Sequence, residues 1–130
     1  MKKTLIAALG AVLLCAGPSF AKDKHDHKGH DAKPGAVVTI SGEMLDMACY
    51  MAHEGKGEKH AKCAEMCVKG GAPLGVLTKD GKVYLVVNDH GKEAPFAEAK
   101  ALAGMNAKII GKVVERGGVR AIIVEKAEKL

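Results

Sequence analysis

Four side chains set the chemistry open to this sequence: Cys49, His60, Cys63 and Cys67. The run Glu58 to Lys69 is made of good helix formers and ends at Gly70-Gly71 with Pro73 following, which predicts a helix that stops there. On such a helix His60, Cys63 and Cys67 stand at i, i+3 and i+7 and share one face. Cys49, expected at the end of a strand, is joined to Cys63 by a connection of 13 residues that can fold back. One imidazole and three thiols then converge, a donor set that as thiolates suits Zn(II), Cu(I) or another soft or borderline ion. His53, in the connecting segment, is a substitute ligand, and Met47 and Met51, each two residues from Cys49, offer thioethers suited to Cu(I). Met44 and Met66 read as core filler.

A disulfide competes with the metal. Cys63 and Cys67 lie about 6 Å apart along a helix axis, so a bridge between them is strained in direction, and Cys49 to Cys63 or Cys67 is the easier staple. That would leave one free thiol, and the same three sulfurs also allow a thiol-redox role in which Cys63 and Cys67 cycle while Cys49 resolves. Spacing alone leaves these alternatives open.

The oxidising compartment that favours a disulfide is itself predicted by the N-terminus. Lys2 and Lys3 precede an apolar run from Leu5 to Cys15, then Gly17-Pro18, then Ser19-Phe20-Ala21, the pattern of an export signal cleaved after Ala21. The run is 11 residues long against the roughly 20 needed to span a bilayer, so no transmembrane anchor is predicted. Acylation at Cys15 ranks below simple cleavage, because Leu14 is bulky where a lipoprotein signal resembling the bacterial pattern has Gly or Ala. Of 20 basic residues the leader takes Lys2 and Lys3, leaving 18 against 15 acidic and a net charge of +3. The destination is the periplasm or the exterior.

Residues 22–35 carry His25, His27 and His30 among aspartates and lysines with Ala32 as the one hydrophobic residue, a composition that cannot offset its ordering entropy. It reads as a disordered tail and a weak, pH-gated chelator of Zn(II), Cu(II) or Ni(II). A single domain follows over 36–130. Its strands are Val37 to Met47, bent near Gly42, then two hairpins: Leu74 to Thr78 with Lys82 to Val87 around Asp80-Gly81, and Met105 to Glu115 with Val119 to Glu125 around Gly117-Gly118. Ala94 to Ala103 reads as a short second helix before the last hairpin. Five strands with minor helix predict a mainly β domain, a small five-stranded open barrel like the oligonucleotide/oligosaccharide-binding (OB) fold, with an α+β sheet as the alternative.

Other chemistries lack a signature. There is no Gly-x-Gly-x-x-Gly, no P-loop, no Gly-x-Ser-x-Gly, no His-Glu-x-x-His and no Cys-x-x-Cys, so no nucleotide cofactor, serine hydrolysis or thioredoxin-type exchange is expected. Covalent haem needs Cys-x-x-Cys-His, which is also absent. Nucleic acid is rejected as a partner: the exported chain keeps three aromatics, Tyr50, Tyr84 and Phe96, to stack bases on. With no nucleophile-base pair specified, a binding module is favoured over an enzyme.

Gly42 to Tyr50, Gly57 to Cys67 and Gly70-Gly71-Ala72-Pro73-Leu74-Gly75 together resemble a group of small exported bacterial proteins with an Asp-x-x-Cys-Tyr plus His-x-x-Cys-x-x-x-Cys pattern. The resemblance covers Val37 to Glu125. The group is largely uncharacterised, so it implies an exported OB-like domain and the treatment of Cys49, His60, Cys63 and Cys67 as a set, and it brings no substrate or reaction.

Overall fold

The computed structural model describes residues 35–130, and the export signal, Cys15 and the tail histidines His25, His27 and His30 lie outside the described residues. The order of elements is β1 (Val37–Asp46), α1 (Met47–His53), α2 (Glu58–Lys69), β2 (Leu74–Thr78), β3 (Val83–Val87), α3 (Ala94–Ala101), β4 (Asn106–Arg116) and β5 (Val119–Lys129). The protein is mainly β with minor α, as the sequence predicts. Its five strands close into a ring in the order β1-β2-β3-β5-β4, closed where an open barrel was expected. The closing contact that no hairpin signal reveals is parallel, Leu85 to Val87 of β3 against Ala121 to Ile123 of β5.

β1 makes the ring possible by serving two partners. Val37 to Glu43 pair antiparallel with β4 and Gly42 to Asp46 pair antiparallel with β2, so Gly42 and Glu43 belong to both ladders. A strand shared this way must bend, and the bend brings the Leu77 carbonyl so near Gly42 that a Cβ there would overlap it. Gly42→Ala is therefore expected to cost about 2–3 kcal/mol, the scale of overpacking in a site that cannot relax, read as a lower denaturant midpoint at unchanged slope. An unchanged midpoint would show that the strand takes up the side chain by shifting.

The burial of β1 alternates from Val37 to Ser41 and then becomes continuous over Met44, Leu45 and Asp46 as the helices cover it. Inside the ring Met44, Ile109, Ile122, Val76 and Val124 are fully buried, with Val68 of α2 and Ala99 of α3 closing over them. The turn after α3 is tied to β1 at Met44, whose N–H donates to the Met105 carbonyl (2.8 Å) and whose carbonyl accepts from the Gly104 N–H (2.7 Å). Thus α2 and α3 are both anchored near the C-terminal end of β1, where the cysteines lie.

Five expectations need correction. Strand one ends at Asp46 rather than Met47, and the helical region that follows is two helices rather than one, because Asp46 caps a short helix. Met66 is 59% exposed rather than core: the face that α2 buries holds Ala64 and Val68, and Met66, two residues from each, points away from it. At the C-terminus β5 runs four residues past Glu125, and α3 stops two residues short of Ala103.

Candidate metal centre

Cys49 lies on α1, not on a strand. The Asp46 Oδ1 accepts a hydrogen bond of 2.9 Å from the Ala48 N–H, the usual way an aspartate starts a helix. The helix ends at Glu54 in left-handed backbone (φ 54°), whose N–H donates to the Tyr50 carbonyl at 2.9 Å. One and a half turns before that end, α1 carries Cys49 beside Asp46. Glu43 then fixes the start of α2, its Oε1 accepting from the Gly57 N–H at 2.5 Å. The two helices are thereby held against the end of β1 by side chains of β1 itself.

From α2, Cys63 and Cys67 present their sulfurs 3.9 Å apart, as i and i+4 neighbours on one face must. Cys49, Cys63 and Cys67 bring their sulfurs within 4.8 Å of one another, and all three are half-buried. None is in a disulfide, so the alternative of a staple from Cys49 to Cys63 or Cys67 is not formed, and the 3.9 Å between the Cys63 and Cys67 sulfurs is about twice a bond length. The spacing that placed the three thiols together holds.

His60 joins the cluster on a different side. Its ring nitrogen lies within 4.8 Å of a donor atom on Asp46 and one on Cys49, so Cys49 is common to two triads. The His60 Nε2 is buried without a hydrogen-bond partner. It lies over Gly55, where a Cβ would approach it to 2.6 Å, so a glycine at 55 is what lets the ring in. His53 belongs to neither triad. Its Nδ1 donates to the Cys49 carbonyl at 2.6 Å, and its ring stands edge-on to His60, centroids 5.5 Å apart. That contact orients His60, the work of an outer-shell residue.

The thioethers take other places. Met47 lays its sulfur over Gly75, where no Cβ would fit, and is a packing residue; Met51 is 75% exposed on α1.

Asp46 is the residue that sequence reasoning left out of the site. It is fully buried, a carboxylate among thiols, and Oδ2 has no hydrogen-bond partner of good geometry. Burial alone would raise its pKa, yet the neighbouring thiols of Cys49 and Cys67 and the Ala48 and Cys49 amides outweigh burial and hold the carboxyl below the ordinary value. The cost falls on the thiols. The Asp46 carboxylate first, then burial and the Cys63 sulfur, push Cys49 up to about 12, and Cys63, Asp46 and burial push Cys67 up as well. The one available signal for Asp46 was its position, an acid ending an apolar strand three residues before a cysteine.

A negative carboxylate that holds thiols protonated is a site lacking positive charge. Three sulfurs, one imidazole and one carboxylate can supply what a transition metal needs once the thiol protons leave. No family model, curated protein or solved structure matches this chain.

Proposed function

We propose that this protein is an exported metal-binding module that holds a soft or borderline transition metal, Zn(II) or Cu(I), through Cys49, Cys63 and Cys67, with His60 as a further donor beside Cys49. The observation that carries the reading is the convergence of three unbridged thiols from two helices within 4.8 Å, next to a buried carboxylate. A cation accounts for the cluster as a whole: it replaces the thiol protons, places positive charge beside Asp46 and ties α1 to α2. Because thiols whose pKa is raised give up protons only to a metal, affinity falls on acidification.

The OB-like scaffold belongs to the same proposal. A ring in the order β1-β2-β3-β5-β4, with β3 and β5 parallel and α3 between β3 and β4, supports it, since that fold sets its main helix between the third and fourth strands. Export after Ala21 rests on the leader, and kinship with the exported bacterial group rests on the Asp-x-x-Cys-Tyr and His-x-x-Cys-x-x-x-Cys residues.

A thiol-redox role has one observation in its favour, the 3.9 Å between Cys63 and Cys67. It has a stronger one against it. Redox cysteines work as thiolates with lowered pKa, whereas Cys49 and Cys67 are pushed the other way. Elemental analysis separates the two: protein recovered without chelator or affinity tag, with His25, His27 and His30 changed to Ala, is expected to carry stoichiometric metal that Cys63→Ser loses. Reversible loss of two thiols on exposure to air, with no metal in either preparation, would establish redox instead.

A further inference from the structure

We propose that the cluster holds two metal ions, one at Cys49, Cys63 and Cys67 and a second, Zn(II), at Asp46, Cys49 and His60, with the Cys49 sulfur bridging them. The inference rests on the metal-binding reading above and deepens it. Each triad brings its donor atoms within 4.8 Å of one another, and the two share Cys49 alone. A thiolate sulfur keeps enough lone pairs to bind two metals at once.

The second triad holds the two buried side-chain nitrogen or oxygen atoms without a hydrogen-bond partner of good geometry among the described residues, Asp46 Oδ2, which faces only the weakly donating Cys49 and Cys67 thiols, and His60 Nε2. Buried polar atoms are left unpaired rarely, because each forfeits its hydration for nothing. Asp46 already spends Oδ1 on the Ala48 N–H, so its second oxygen is the one left for a cation. His53, bonded through Nδ1 to the Cys49 carbonyl and edge-on to the His60 ring, buttresses both a bridging and a terminal ligand.

Charge leads to the same count. Three thiolates and one fully buried carboxylate are four negative charges in one half-buried cluster. One divalent ion leaves two of them uncompensated, and two divalent ions compensate all four. Donor type then selects the metal: a carboxylate and an imidazole beside a thiolate suit Zn(II), while Cu(I) favours sulfur throughout. A single tetrahedral ion takes four of the five donor atoms and leaves one idle, whereas two ions sharing the Cys49 sulfur use all five.

The test is a titration of the exported chain, reduced and metal-free, with His25, His27 and His30 changed to Ala, using Zn(II) against a chromophoric chelator. Two equivalents are expected. Asp46→Asn and His60→Ala are each expected to bind one, and both to retain the thiolate-to-metal absorption when Co(II) replaces Zn(II). Asn keeps the cap on α1, so the first variant removes the charge and not the helix. One equivalent in the parent overturns the second position and leaves the three-thiol site standing. No stoichiometric binding overturns both, and two equivalents undiminished in both variants overturn the assignment of the second ion to Asp46 and His60.

Discussion

Replacing Asp46 by Asn in the reduced, metal-free protein is expected to speed alkylation of Cys49 at pH 8 by up to about a thousandfold. The carboxylate is the largest influence on this thiol, pushing it up to about 12 from an ordinary 9.0. At pH 8 a thiol with that raised value is thiolate in about one molecule in ten thousand, and one at 9.0 in about one in ten; only the thiolate reacts. The sign follows directly: a raised pKa lowers the reactive fraction at every pH below it, and removing the negative neighbour restores it. Burial and the Cys63 sulfur also raise Cys49 and persist in the variant, which is why a thousandfold is the ceiling. The half-point of the rate profile should move from about pH 12 toward 9, measured by timed alkylation and mass mapping of Cys49. Superimposable profiles would mean that the carboxylate does not face the thiol in solution.

Saturating Zn(II) should raise the stability of the domain by about 4 kcal/mol when free metal is a thousandfold above Kd. In a domain of this size that is an increase of about 15–30 °C in Tm, reversed by chelator. The gain concentrates in the two helices. Nothing in α1 is buried, and α2 buries Ala64 and Val68, so little apolar surface holds either helix while their thiols are unliganded. Such elements open first. Metal bound by Cys49 on α1 and by Cys63 and Cys67 on α2 joins them, and amide exchange over residues 47–69 should slow far more than exchange in β4 and β5. Cys63→Ser should sharply reduce the gain, because it breaks the three-thiol site that joins the helices, while leaving the metal-free Tm nearly as it was. Equal melting with and without Zn(II) would contradict any structural role for a bound ion.

What the sequence shows of this site depends on range. His60, Cys63 and Cys67 were legible because helical spacing is local, and the two hairpins because Asp80-Gly81 and Gly117-Gly118 specify their own turns. α1 was not: seven residues directly after a strand carry no periodicity long enough to separate the two states, and the cap that decides it, Asp46, reads as one more strand residue. Met66 was misplaced because a methionine in a helix is a good core candidate until the fold shows that Ala64 and Val68 already fill the contact. The role of Asp46 depends on closure of the ring and on the helices packed over its end, neither of which is encoded near residue 46. The parallel pairing of β3 with β5 is likewise a tertiary outcome that no turn signal announces.

X-ray absorption at the metal edge, on protein recovered without chelator and with His25, His27 and His30 changed to Ala, tests most directly whether the cysteine cluster is a metal centre. The cluster of Cys49, Cys63 and Cys67 predicts stoichiometric metal with a dominant sulfur shell at about 2.3 Å, accompanied by nitrogen or oxygen at about 2.0–2.1 Å. A first shell of nitrogen and oxygen alone, protein that emerges metal-free under reducing conditions, or protein recovered without reductant with Cys49 in a disulfide, would contradict it.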